Sequence, residues 1–312
     1  MNAERSTPPR RSRIVVGYDG SASAAAALEW AAGAAADRRC HLEVVTALPL
    51  HDAWAVPIGL ALAVVPARPH HLPDARVEDA RQLAAKFLPD AAVTLTEIAG
   101  AAASTLIHAS EEARLVVVGN RGHGAFGSAV LGSVSASVAR HAYCPVTVVR
   151  GAVDEPDRRR PVTVGVDYLQ PSGAAVRFAA DQAARWGVPL RIVSAWALLN
   201  QGAAGLAHQP PDEINEWART RFEMARGAAL DAAGLARQVA HDLVVELVTP
   251  ETPAAPTLEE DSRRSGLLVL GSRRLGPLER MVLGSVSRAV LNHASCPVTV
   301  VPSTAVPSPL RA

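Results

Sequence analysis

The stretch LGSVSASVARHAYCPVTVV at residues 131–149 returns 152 positions later as LGSVSRAVLNHASCPVTVV at 283–301, with fourteen of nineteen residues identical. A repeat at this distance divides the 312-residue chain into two similar halves of ordinary domain size. The starts of the halves also match: RIVVGYDGSASAAAALEWAA at 13–32 aligns with PVTVGVDYLQPSGAAVRFAA at 161–180, at an offset of 148. The chain therefore reads as a flexible tail at 1–12, a first domain at 13–150, a charged, proline-bearing linker at 151–160, a second domain at 161–301 and a second tail at 302–312.

Within each half, short β-branched runs alternate with alanine-rich helical patterns. In the first half the runs are Ile14–Val16, Leu42–Ala47, Val93–Ile98, Leu115–Val118 and Val146–Val149. In the second they are Val162–Val166, Leu190–Ala195, Leu243–Val248, Leu267–Leu270 and Val298–Val301. Such runs are apolar almost throughout rather than alternating, which indicates strands buried on both faces, as in a parallel sheet covered by helices. Right-handed crossovers then give two α/β domains, each a Rossmann-like, doubly wound sheet of five mainly parallel strands. Ligands of such sheets sit beyond the carboxyl ends of the strands where the winding reverses. Here that places Asp19, after the first strand, opposite Gly119, after the fourth.

Composition narrows the partners. Apolar residues make up 49%, charged residues 20%, and the net charge is +1, which gives no electrostatic case for nucleic acid or a membrane surface. Arg5, Arg10, Arg11 and Arg13 are not followed by an apolar signal core. The uncharged, mostly apolar run from Ala53 to Ala67 is too short to span a bilayer and is interrupted by Pro57, Gly59 and Pro66. Three cysteines do not make a disulfide framework, so a reducing compartment, the cytoplasm, is expected.

The loop after the fourth strand, GNRGHGAFGSAVLGS at 119–133, contains a literal G-x-G-x-x-G at Gly122, Gly124 and Gly127. A dinucleotide fingerprint belongs after the first strand, with an acidic residue about twenty positions on to hold the ribose. This one follows the fourth strand, and no Asp or Glu occurs between Glu112 and Asp154. No Walker loop is present either. A different spacing fits: Gly119, then Gly122 after two residues, then Gly132-Ser133 after nine more. Glycine at 119 and 122 permits a sharp turn and close approach of the backbone to phosphates. Gly132 and Ser133 open the last helix, whose unpaired N–H groups point at an anion.

That spacing, together with VGYDGS at the first strand, VVVGNRGHG at the fourth and LGSVS…HAYCPVTVV at the end, resembles the universal stress protein family, here as a tandem member. The resemblance implies ATP, with or without Mg2+, held by Gly17, Asp19, Gly119, Arg121, Gly122, His123, Gly124, Gly132, Ser133 and Val134 of the first domain. The corresponding residues of the second are Gly165, Asp167, Gly271, Arg274, Gly284, Ser285 and Val286. Asp19 would meet the adenosine, and the glycine loop with Gly132-Ser133 would hold ribose and phosphates. The resemblance also implies an internal pseudo-dimer through the PVTVV strands at 145–149 and 297–301, a homodimer, and a protein partner that the sequence does not identify.

Simpler roles stand beside these. Asp19 fits a helix cap in ordinary Asp-Gly-Ser turn chemistry, and the glycines fit plain loop geometry. His51, His70 and His71 lack carboxylate or cysteine companions at metal-ligand spacing. Cys144 and Cys296 read as packed core thiols. The run at 53–67 with Trp54 reads as an excursion over the sheet or a contact surface. The second half departs from the pattern, with Arg274 in place of the loop's second glycine and Asp167-Tyr-Leu-Gln in place of Asp-Gly-Ser. A left-handed backbone at Arg274 would cost about 1–2 kcal/mol, so weaker binding is expected there.

No general base, nucleophile pair or metal cluster accompanies either loop in the sequence. The resemblance implies an ATP-binding regulatory or sensor module of the stress response. The alternatives are an ATP-using enzyme, either a slow ATPase or a phosphotransferase, and a structural dimerisation protein with a vestigial pocket.

Overall fold

The computed structural model describes residues 12–48, 74–122, 131–150, 157–169, 173–198, 210–274 and 281–303. The chain divides into two compact units, Met1–Glu155 and Pro156–Ala312.

In the first unit, strands β1 (Arg13–Gly17), β2 (His41–Leu48), β3 (Val93–Ala99), β4 (Leu115–Gly119) and β5 (Val146–Val149) are joined through helices α1 (Ala22–Arg38), α2 (Asp74–Ala85), α3 (Ala102–Ala109) and α4 (Ser133–His141). The strands lie in the order β3-β2-β1-β4-β5, and every pairing among them is parallel. The first strand sits between β2 and β4, with Val16 level with Val44 on one side and Val117 on the other. It is therefore closed in on both edges, and Ile14, Val15 and Val16 are fully buried. Winding runs one way from β1 through β2 to β3, then returns to β4 on the other side. The reversal opens beyond Gly17 and Gly119.

Helix α1 is built to lie close over this sheet. Ser21 caps it, its side chain accepting from Ala24 N–H at 3.2 Å. Ala27, Ala31, Ala32, Ala34 and Ala35 present little bulk to the strands, while Leu28 and Trp30 fill the remaining core. The helix ends at Arg39, whose backbone is left-handed at φ 50.

The second unit repeats the plan: β6 (Val162–Gly165), α5 (Gly173–Trp186), β7 (Leu190–Val193), α6 (Pro211–Val239), β8 (Val245–Val248), α7 (Ala254–Ser262), β9 (Leu267–Gly271), α8 (Ser285–His293) and β12 (Val298–Val301). The order is β8-β7-β6-β9-β12, again parallel throughout. All ten expected strands are present. An element the sequence reading did not contain is the antiparallel pair β10 (Arg273–Arg274) and β11 (Met281–Val282) after β9. Among the described residues, no helix is long and apolar enough to cross a membrane. The tails, the apolar run at 53–67, His51, His70, His71 and residues 151–156 of the expected linker fall outside the described residues.

Candidate nucleotide site

In the first unit the turn after β1 is organised by two side chains. Asp19 Oδ1 accepts the Ser21 N–H at 3.0 Å, and Ser21 caps the helix. The helix-cap role open to Asp19 in the sequence thus belongs to Ser21, and Asp19 holds the cap in place. Gly20 between them has φ +84, where a side chain is strained. The second carboxylate oxygen, Oδ2, faces the loop after β4: a Cβ added to Gly122 would stand 2.5 Å from it.

Gly122 and Gly119 are not among the described residues with positive φ, so the sharp-turn reading of both is corrected. Their glycines are required for space. A Cβ on Gly119 would meet the Ser23 backbone, with its carbonyl oxygen at 2.7 Å. The end of β4 and the start of α1 are packed backbone to backbone. Side chains lock the contact: Ser23 Oγ donates to Asn120 Oδ1 at 2.9 Å and accepts the Arg121 N–H at 3.3 Å.

The same loop seats the last helix. Asn120 N–H donates to Val149 O and its carbonyl accepts the Gly132 N–H, both at 2.8 Å. Ser135 Oγ, buried, donates to Gly119 O at 2.6 Å. A Cβ at Gly132 would stand 3.1 Å from Asn120 O and 3.4 Å from Arg121 Cα, so glycine lets helix α4 begin directly against the loop. Gly132 is the N-cap residue, and no side chain caps the helix. Its amide end adds about 0.3–1 kcal/mol of attraction for an anion. Ser133 is exposed and Val134 half-buried at this end. Arg121 is half-buried, and it lies close enough to Arg150 that burial first, and the Arg121 charge second, push the Arg150 guanidinium below its usual range.

Of the residues expected at the site, Asp19, Gly119, Arg121, Gly122, Gly132, Ser133 and Val134 come together on this face of the unit. Gly17 does not share their role: a Cβ there would meet Leu106 Cδ1 at 2.9 Å, so it serves helix packing against β1. Gly165 repeats this in the second unit, with Leu258 Cδ1 of α7 at 3.1 Å and Leu270 Cδ2 of the neighbouring β9 at 2.8 Å. His123 and Gly124 lie outside the described residues. Ser23, Asn120 and Arg150 were not anticipated, and Ser135, open to a helix-cap role in the sequence, instead donates to Gly119 O. Ser135 had a signal, because the repeat preserves it as Ser287, and both are buried. Among the described residues there is no group of three His, Cys, Asp or Glu able to hold a metal.

The second unit keeps the frame and alters the lining. Asp167 Oδ1 accepts the Leu169 N–H at 2.9 Å, as Asp19 does with Ser21. Ser272 N–H donates to Val301 O at 2.9 Å, in the manner of Asn120 and Val149. Gly284 is the uncapped N-cap residue of α8, followed by exposed Ser285 and half-buried Val286, with half-buried Gly271 at the end of β9. Two differences stand out. At the position of Gly20 is Tyr168, whose hydroxyl accepts from Arg221 Nη1 at 3.2 Å, and the same nitrogen reaches Ala197 O at 3.4 Å. Arg274 is in an extended ladder opposite Met281, so the left-handed strain expected of it is absent.

Both halves match the model of the universal stress protein family, over residues 10–150 and 158–302. The chain belongs to that family, as a member with two such domains. It is 33% identical to the universal stress protein Rv1996 of Mycobacterium tuberculosis over 308 residues, covering 92% of this chain and 94% of that one. The crystal structure of a universal stress protein from Archaeoglobus fulgidus shares the fold, with a TM-score of 0.58 and 20% identity, covering 94% of this chain and 98% of that one. A universal stress protein crystallised in complex with cAMP is 30% identical and covers 46% of this chain and 98% of its own, with a TM-score of 0.33.

Proposed function

We propose that the first unit binds ATP, with or without Mg2+, and that the protein is a nucleotide-binding regulatory or sensor module of the stress response, acting in the cytoplasm through a protein partner. The observation that carries this reading is the convergence on one loop, residues 119–122, of a carboxylate from β1 and the uncapped amide end of α4. The carboxylate is an acceptor for hydroxyl or amino groups of adenosine. The amide end, with Arg121 beside it, suits phosphates. Glycine at 122 and 132 adds no side chain between the loop and the uncapped first turn of α4, where a ligand would meet N–H groups.

The same lining argues for binding rather than turnover. Asp19 is the carboxylate that the described residues bring to this loop, and it is already engaged with Ser21. Mass spectrometry of nucleotide carried through purification, with its stoichiometry per chain, tests the reading. Adenine nucleotide at about one equivalent per chain is expected, following the single well-matched loop. Protein that carries none, and takes up none on addition, would leave a structural protein with a vestigial pocket. Steady phosphate release with Mg2+ and ATP would instead support the enzyme reading.

A further inference from the structure

Each unit brings an arginine, from the helix that follows its second strand, to the turn after its first. In the second unit this is Arg221 of α6, tied to Tyr168 and to the Ala197 carbonyl. In the first it is Arg76 of α2, whose Cδ and Nε each lie 3.5 Å from where a Cβ on Gly20 would stand. Gly20 and Tyr168 are the same position of the repeat, each following the aspartate that accepts an N–H two residues on. With glycine there, no counterpart of Tyr168 occupies the guanidinium in the first unit. Among the described residues Arg76 enters no ion pair, and it is exposed.

Arg76 also stands on a definite side of the site. It belongs to the helix that joins β2 to β3, strands on the opposite side of β1 from β4, and it reaches the turn after β1 beside Gly20. The electrostatics agree: the buried Tyr18 phenol is raised above its ordinary value by burial first, then by the Asp79 and Asp19 charges, and lowered by Arg76, so each of these charges lies within electrostatic reach of Tyr18. A planar cation here faces the part of a nucleotide that is neither phosphate nor, given Asp19, short of acceptors for its donors. What remains is the flat face of the base.

We propose that Arg76 recognises the nucleobase in the first unit, stacking its guanidinium on the face of a purine. The proposal rests on the nucleotide reading of this site. It makes Arg76 a specificity residue rather than a phosphate ligand, and it explains why the equivalent arginine of the second unit, already bonded to Tyr168, does not serve the same purpose.

Calorimetry of the full chain with ATP and with inorganic tripolyphosphate, which has no base, tests it. Arg76→Ala is expected to weaken ATP about tenfold while leaving tripolyphosphate within about twofold. Arg76→Lys is expected to recover little, because a point charge lacks the planar face. Equal weakening of both ligands would overturn the proposal by showing that Arg76 acts on phosphate through its charge. Unchanged ATP affinity would overturn it as well. A wild-type protein that binds neither ligand would remove the nucleotide reading itself, and that outcome is visible before any substitution is made.

Discussion

Asp19 and Gly122 face each other across the mouth of the first unit, with a carboxylate oxygen 2.5 Å from where a Cβ on residue 122 would lie. The carboxylate is not free to swing aside at no cost, because its other oxygen holds the Ser21 N–H. Residue 122 therefore controls the orientation of the acidic group as well as access to the loop. Gly122→Ala should displace Asp19 and weaken ATP about tenfold, while Gly122→Arg should weaken it about a hundredfold, some 2.8 kcal/mol. Gly122 is exposed, so melting temperature should hardly change. Calorimetry that finds ATP affinity unchanged in Gly122→Arg would detach this loop from binding.

Binding and capping can be separated at the neighbouring turn. Ser21→Ala removes the cap of α1 and should lower stability by about 1 kcal/mol, with ATP affinity preserved. Asp19→Asn keeps an oxygen for the Ser21 N–H but loses the charge, so it should weaken ATP with little loss of stability. Denaturant melts and titrations of both variants check the pair. If Asp19→Asn bound ATP normally, the aspartate would be a turn residue alone.

The two units should bind unequally. In the second, Tyr168 fills the position that Gly20 leaves open, and Arg221 ties it to the Ala197 carbonyl. Arg274 is held in a ladder opposite Met281. Restoring the glycine by Arg274→Gly should therefore not create a second strong site, since the obstruction at Tyr168 remains. Native mass spectrometry should show one nucleotide per chain before and after this substitution. Two in the parent protein would mean that the preserved Asp167 and Gly284 suffice.

The strands were legible because burial on both faces demands unbroken β-branched runs, and the repeat displayed each of them twice. Asp19, Gly119, Gly122, Gly132 and Ser133 were legible through spacing, though the reason for the first two loop glycines was not. Their need for space comes from Ser23 and Asp19, which are distant in sequence from the loop. Ser23 and Asn120 are common polar residues that acquire a role only when β4 meets α1. Gly17 was expected at the site through the family resemblance, yet its neighbour is Leu106. The β10 and β11 pair escaped because two arginines carry no strand pattern, and their pairing is set by contact with residues 281–282.

The last expected outcome concerns Cys296, which is buried just before β12; Cys40 and Cys144 are likewise free and buried. Burial pushes its thiol from the ordinary 9.0 up to about 12, against smaller lowering effects from backbone hydrogen bonds and from Arg160. The folded protein therefore keeps this thiol neutral where the unfolded chain ionises it. Since the folded value is the higher, the linked stability is fully present below pH 9 and declines as pH rises from 9 towards 12. By pH 10 the loss should reach about 1 kcal/mol. Urea unfolding at pH 8 and pH 10, for the wild type and Cys296→Ala, isolates it: the wild type should lose more stability between the two pH values than the variant does. An aromatic disulfide reagent should leave all three thiols untouched in the native protein and titrate them after unfolding. Rapid reaction of Cys296 in the native state, or equal losses in wild type and variant, would show that the start of β12 opens readily to water.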